Sequence, residues 1–200
     1  MVATGGRNRR LGIPGAELPD IHYLHTVADC DAIKCEAAAG RRAVVGMGFI
    51  GCEVATSLTQ LGVGVTSVFP GRAPLEQVLG VEIGALIGAI HRSKGVRLLA
   101  GAQVAAFEGT EWLEAVVIAD GDRVACDSAG VGVGIDPDVP AVAGSSIAQE
   151  NGIVVDELCR TSAADIYAAG DVANHLHPVF GRVQVEHYNS AESTEPRRRG

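Results

Sequence analysis

Arg42-Ala43-Val44-Val45-Gly46-Met47-Gly48-Phe49-Ile50-Gly51-Cys52-Glu53-Val54-Ala55 is the stretch whose reading decides the fold. Ala43, Val44 and Val45 form a short apolar run of the kind that makes a buried strand. From residue 50 the spacing turns helical through Ile50, Val54, Ala55, Leu58 and Leu61, and Gly62 closes the helix. Residues 63–69 are apolar and β-branched and read as a second strand, broken by Pro70-Gly71. The glycine triplet Gly46-x-Gly48-x-x-Gly51 therefore sits between a strand and a helix inside a complete strand-helix-strand crossover. In that setting each glycine has a task. Gly46 allows the tight turn, Gly48 leaves room for a pyrophosphate to approach the backbone, and Gly51 lets helix and strand pack closely. The amides at the helix opening, at Phe49 and Ile50, would then face the phosphates with the positive end of the helix dipole behind them. The expected fold is α/β, a Rossmann-like parallel sheet whose ligand is a dinucleotide.

Working outward, residues 1–20 are rich in Gly, Pro and Arg and read as irregular apart from a short start. Thr26 offers an N-cap for a helix running from Val27 to about Ala39 and closed by Gly40. After Pro70-Gly71 a second helix is expected over 82–94, then a third parallel strand over 96–99. The rhythm next changes to short strands over 104–107, 113–119 and 123–126, parted by Glu108-Gly109-Thr110 and Asp120-Gly121-Asp122, an antiparallel β-meander. Residues 131–135 are read as returning to the parallel sheet, with brief strands at 153–155 and 166–169. The end, Glu195-Pro196-Arg197-Arg198-Arg199-Gly200, reads as a solvated tail.

Bulk properties exclude several classes. The chain has 200 residues, 47% hydrophobic and 20% charged, enough for a buried core. Its formal charge of −8 gives no field that would draw it to nucleic acid or anionic lipid. No run approaches the roughly 20 apolar residues of a membrane span, so neither membrane nor nucleic acid is an expected partner and a cytoplasmic address is the default. The five cysteines, at 30, 35, 52, 126 and 159, are scattered without zinc-site spacing. His175, His177 and His187 with Asp171 lack a convincing third ligand, so no metal is expected.

Two positions bear on the coenzyme. A carboxylate near the end of the second strand, roughly 20 residues past the glycines, usually bonds the adenosine ribose of NAD. Phe69 stands there, and Arg72 follows three residues later, able to pair with a 2′-phosphate or to lie in a solvated loop. NADH and NADPH both stay open. Glu53, on the first turn after the third glycine, is either a carboxylate favoured by the helix dipole or a neighbour of the nicotinamide.

The 42–55 stretch resembles the NAD-binding fingerprint of two-dinucleotide flavoprotein reductases, the pyridine nucleotide-disulfide oxidoreductase superfamily. Ala3-Thr4-Gly5-Gly6 resembles that family's Ala-Thr-Gly element, and Thr161 through Ile166-Tyr167-Ala168-Ala169-Gly170-Asp171 resembles its late Gly-Asp element. Gly132-Val133-Gly134-Ile135-Asp136-Pro137 and Val185-Glu186-His187-Tyr188-Asn189 are similar to the ferredoxin, rubredoxin and putidaredoxin reductase branch, and Gly134 joins the candidate site with them. The resemblance implies FAD beside NAD(P)H, tilting toward NADH, with electrons leaving to a ferredoxin- or rubredoxin-type carrier. It implies that Asp171, after Gly170, bonds the flavin ribityl chain, that Thr4 and Gly5 lie near the flavin nucleotide, and that Glu53 approaches the nicotinamide. Residues 1–22 and 149–200 then read as parts of a second, FAD-binding Rossmann-like domain, the latter with the polar tail, around an NAD(P)-binding domain over 23–148.

The family's own first Gly-rich loop would precede this chain and its interface domain would follow, so truncation at both ends is expected. A non-catalytic nicotinamide-dinucleotide module without FAD is the rival reading. Disulfide reduction finds no well-placed thiol. Cys30 and Cys35 share the Cys-x4-Cys spacing of disulfide reductases, but on a helix they point about 140° apart. Hydride transfer to a flavin needs no general acid, and no catalytic side chain is assigned.

Overall fold

The computed structural model describes residues 1–37, 40–186 and 191. In chain order its elements are β1 (Gly6–Asn8), β2 (Ile21–His22), α1 (Val27–Glu36), β3 (Arg41–Val45), α2 (Phe49–Gln60) and β4 (Gly64–Phe69). They continue with α3 (Glu76–Ser93), β5 (Arg97–Ala100), β6 (Val104–Glu108), β7 (Ala115–Ile118), β8 (Arg123–Ala125) and β9 (Ser128–Val131). The last are β10 (Ile135–Pro137), β11 (Gln149–Glu150), β12 (Gly152–Val154), β13 (Ala173–His177) and β14 (Gly181–Val183). Contacts group the chain into two units, Asn8–Gly134 and the pair of segments Met1–Arg7 with Ile135–Gly200. The sequence reading set its boundaries at 22/23 and 148/149.

In the Asn8–Gly134 unit, five strands form a parallel sheet in the order β2-β9-β3-β4-β5. The two-residue period of β3 divides the core. Ala43 and Val45 face the β6-β7-β8 antiparallel meander, joining Phe107, Leu113, Val116, Ile118 and Val124. Val44 faces the opposite side with Val54, Ala55 and Leu58 of α2 and Val65 of β4. Each such fully buried valine contributes roughly 1.5–3 kcal/mol by leaving water. The unit is a three-layer α/β/β stack with the sheet in the middle.

Local signals explain the element ends. Thr26 caps α1 in a reciprocal box, its hydroxyl accepting from Asp29 N and its own N–H donating to Asp29 Oδ2 at 2.6 Å. The helix ends at Glu36, short of the expected Ala39, which with Ala38 lies outside the described residues. The helix expected over 82–94 is the longer of two that meet at a kink at Gly80 (φ 78°, ψ 168°) and end at Ser93; the short turn before the kink, opening at Glu76, was not expected.

Three expectations are corrected. Residues 131–135 are not a strand: the sheet strand is Ser128–Val131, and Gly134 at φ 100° turns the chain out of extended geometry. Small residues are needed there because α2 lies close, and a Cβ on Gly130 would come 3.3 Å from Val54 Cγ1. Residues 1–20 are followed by an unforeseen parallel strand, β2, paired to β9. Residues 166–169 make only bridges, Val2 to Ala168 and Arg160 to Tyr167; the strand is β13, parallel to β12 and hairpinned to β14.

The Met1–Arg7 and Ile135–Gly200 unit holds the β11-β12-β13-β14 sheet, around a core of Val142, Ile147, Ile153, Val155, Ala168 and Val172. No helix among the described residues is long and apolar enough to cross a membrane.

Candidate functional site

The strand order puts a switch point beside β3: the chain proceeds through β4 and β5 on one side, while β9 and β2 lie on the other. Ligands of open α/β sheets bind outside the carboxyl ends of the strands at such a point. The glycine loop lies there. Gly46 N donates to Val68 O at 2.9 Å, and Gly132 N, just past β9, donates to Val45 O at 2.8 Å. Gly46 has φ 92°, and a Cβ on it would lie 2.2 Å from Gly132 O. A Cβ on Gly51 would lie 2.1 Å from Gly46 O. Both glycines are therefore demanded by backbone crossing backbone. Gly132 was quoted from sequence in the 132–137 motif but given no site role, which went to Gly134 alone; the repeated glycine of Gly132-Val133-Gly134 was the available signal.

Gly48 differs. A Cβ there would meet nothing within 4 Å, and its φ of −75° is open to any residue. It is the N-cap of α2 and brings no capping side chain, while Cys52 N already donates to Gly48 O at 3.0 Å. The amides of Ile50 and Gly51 at the opening turn have no intrahelical acceptor. A small open space thus lies in front of an uncapped helix start, the arrangement a diphosphate fits. Phe49 is exposed at this end, whereas Ile50 turns inward over Leu24, Ile33, Val44 and Val54. Gly134 sits on the far side of the Gly132 crossing, its carbonyl accepting from Arg9 N at 3.0 Å.

Glu53 is exposed on the outer face of α2, lining an open groove with Cys52, Thr56, Ser57 and Gln60. Cys52 is buried beneath the loop, its thiol directed at Met47 O at 3.7 Å. Burial, and secondarily the charge of Glu53, pushes that thiol up to about 11, so it stays protonated and serves packing. Cys30 and Cys35 remain thiols on α1.

At the end of β4, Phe69 is buried with Met47 and Cys52, packed by Leu75. Arg72 is held by Glu76 at the head of α3: Arg72 Nε donates to Glu76 Oε1 at 2.8 Å and Nη2 lies 2.7 Å from the same oxygen. Arg72 N donates to Glu76 Oε2 at 2.6 Å. The Arg72 side-chain and backbone donors hold the Glu76 carboxyl below the usual carboxylate range. Glu76 was not singled out from sequence, although its four-residue spacing from Arg72 is the signal for such a pair.

In the other unit, Val2 runs parallel to Ala168, with Val2 N donating to Tyr167 O at 2.7 Å and Ala169 N to Val2 O at 3.1 Å. Both segments leave that bridge in one direction, which brings Thr4 and Gly5 to the same end as Gly170 and Asp171. Gly5 (φ 68°) and Gly170 (φ 75°) both take left-handed turns, and space is open at the Gly5 Cβ position. Thr4 Oγ1 donates to Asp138 O, and Asp138 N donates to Gly5 O at 2.9 Å. Asp171 lies in a single 3-10 turn, its carbonyl accepting from Gln184 Nε2 at 2.9 Å while its carboxylate takes no hydrogen bond from a described residue. Open backbone beside an uncommitted carboxylate suits a polyhydroxylated, phosphorylated ligand such as FAD. His177 is used in the hairpin, stacked on Phe180 and accepting from Val179 N and Phe180 N. Among the described residues no cluster of three or more metal-ligating side chains forms; His187 lies outside them.

A parallel sheet with a glycine loop at its switch point defines the Rossmann class of dinucleotide-binding folds. The family profile for pyridine nucleotide-disulphide oxidoreductase matches residues 1–194, and the chain belongs to that family. It is 41% identical over 193 residues to the biphenyl dioxygenase system ferredoxin–NAD(+) reductase component of Paraburkholderia xenovorans (strain LB400), covering 96% of this chain and 47% of that protein. Among solved structures it is similar to the ferredoxin reductase for the CYP199A2 system from Rhodopseudomonas palustris, with TM-score 0.90 and 32% identity, covering 96% of this chain and 48% of the other. The reductase in the covalent putidaredoxin reductase–putidaredoxin complex superposes with TM-score 0.88 at 31% identity, over 94% of this chain and 47% of that one. The chain thus spans about half the length of the relatives it matches.

Proposed function

We propose that this chain carries the nicotinamide-coenzyme site and part of the flavin site of an FAD-dependent NAD(P)H oxidoreductase of ferredoxin reductase type, with a ferredoxin- or rubredoxin-type carrier as electron acceptor. The observation that carries the reading is the glycine crossing: Gly46, Gly51 and Gly132 locked backbone to backbone, with Gly48 left open before an uncapped helix. Amides of the α2 opening would bind the coenzyme pyrophosphate, and Phe49 and Glu53 lie on the exposed side of that helix, where Glu53 would meet the nicotinamide half. Thr4, Gly5, Gly170 and Asp171 would hold FAD, Asp171 through the ribityl hydroxyls. FAD bound there would supply the conversion of a two-electron hydride donor into single electrons for an iron-sulfur carrier. The protein's part is alignment and charge, which is why no side chain is given an acid, base or nucleophile role. A net charge of −8 argues against nucleic acid as partner, and a cytoplasmic address rests on the sequence reading.

The visible spectrum of the purified chain tests this. A stoichiometric yellow flavin band bleached by NADH or NADPH is the expected result. A colourless protein that binds NADH calorimetrically would overturn the flavin part and leave a dinucleotide-binding module.

A further inference from the structure

A charged latch, the Arg72–Glu76 pair, lies just past the end of β4. Where dinucleotide-binding crossovers present a carboxylate to the adenosine ribose, this chain has Phe69, buried under the glycine loop and unable to accept a hydrogen bond. Arg72, the cation nearest that position in sequence, is engaged. Glu76 takes its Nε and Nη2 edge and its backbone N–H. The latch is also tied to the coenzyme loop, because Leu75, the residue before Glu76, donates its N–H to Met47 O at 2.9 Å, between Gly46 and Gly48. Gly71 keeps the carboxylate close to the strand end: a Cβ there would lie 3.2 Å from Glu76 Oε2 and 3.9 Å from the Phe69 ring. Arg72 is 77% exposed, so the ion pair contributes little to folding, and its effect is one of placement.

We infer that the Arg72–Glu76 pair selects the coenzyme, with Glu76 withholding the guanidinium edge from a 2′-phosphate and setting a negative carboxylate where that phosphate would lie, so that NADH is taken in preference to NADPH. This rests on the glycine loop being the dinucleotide site. A 2′-phosphate brings further negative charge and three acceptor oxygens. Beside an ionised Glu76 it meets like charge, and the bidentate edge of Arg72 that would answer it is already filled. The free ribose hydroxyls of NADH carry no such conflict. Neutralising Glu76 removes the repulsion and releases the guanidinium together, so one substitution reverses both effects.

The test is calorimetric titration of the 200-residue chain with NADH and with NADPH, alongside circular dichroism melts, for wild type, Glu76→Gln, Arg72→Ala and the double variant. Wild type is expected to bind NADH at least about tenfold more tightly, the scale of one charge-assisted contact. Glu76→Gln should tighten NADPH by about tenfold with NADH changed less than about threefold, and adding Arg72→Ala should cancel the gain. Arg72→Ala alone should leave NADPH no tighter, since it unmasks the Glu76 charge and frees no cation. A loop clamp with only a structural role would shift both coenzymes together in Glu76→Gln, which overturns the inference. Equal wild-type affinities overturn it, as does a selective gain of NADPH affinity in Arg72→Ala, a result available even if Glu76→Gln fails to fold. Failure of both coenzymes to bind wild type would overturn the glycine-loop reading and the latch with it, an outcome distinct from the others.

Discussion

Replacing Gly48 and Gly51 by alanine, one at a time, separates ligand space from packing space in the same loop. At Gly51 the new Cβ would lie 2.1 Å from Gly46 O and 2.8 Å from Gly46 C. Both atoms are backbone, so no side chain can swing away; the start of α2 must retreat from β3 by about 1 Å to regain ordinary contact. That places the cost at the top of the overpacking range, about 3 kcal/mol, and for a chain of this size lowers Tm by about 6–12 °C. At Gly48 the new methyl touches nothing within 4 Å, and φ −75°, ψ −164° is ordinary extended backbone. Fold stability should change by no more than about 1 kcal/mol, the scale of an N-cap substitution. The methyl does occupy the space in front of the helix amides. Losing one or two charge-assisted hydrogen bonds to a diphosphate costs about 1.5–3 kcal/mol each, so coenzyme affinity should fall by about tenfold to a hundredfold or more. Thermal melts by circular dichroism and calorimetric titration with NADH read the two quantities. Gly48→Ala that melts like wild type and binds NADH within about threefold of it would refute the placement of the pyrophosphate; Gly51→Ala that melts like wild type would refute the crossing.

Two further outcomes concern buried polar groups. Ser67, wholly buried in β4, has a hydroxyl with no hydrogen-bond partner among the described residues, so Ser67→Ala should raise stability by about 1 kcal/mol and Tm by about 2–4 °C; a lower Tm would contradict it. His91 is buried and His175 half-buried, and desolvation holds both below the ordinary histidine value of 6.5. As pH falls through about 6.5 the unfolded chain takes up protons that these folded side chains refuse, so stability present above that pH declines below it. Denaturant titrations at pH 7.5 and 5.5 should show this slope reduced in His91→Gln, and an unchanged slope would remove His91 from the account.

Much of the α/β unit was legible because its signals are local. Gly46, Gly48 and Gly51 are spaced within one turn and a half of chain, Thr26 and Asp29 cap their own helix, and the Glu108-Gly109-Thr110 and Asp120-Gly121-Asp122 turns part the strands of the meander. The readings that went astray depended on partners remote in sequence. Residues 131–135 have the apolar composition of a strand, yet the parallel strand is the small-residue run Ser128–Val131, because β9 must fit between β2 and β3 under Val54. A two-residue strand such as β2 leaves no periodicity to detect, and only pairing to β9 makes it a strand.

The amino-acid sequence by itself determined the strand-glycine-helix crossover and its resemblance to a flavoprotein reductase family, since backbone freedom at glycine and the 3.6-residue spacing of α2 are properties of contiguous residues. Tertiary structure alone decided that Gly132 closes the loop from the end of the neighbouring strand β9, that Phe69 is packed out of reach beneath it, and that Arg72 is already held by Glu76. Those three facts depend on which backbone crosses which and on which charge meets which, and such encounters are settled only when strands distant in the chain are brought side by side.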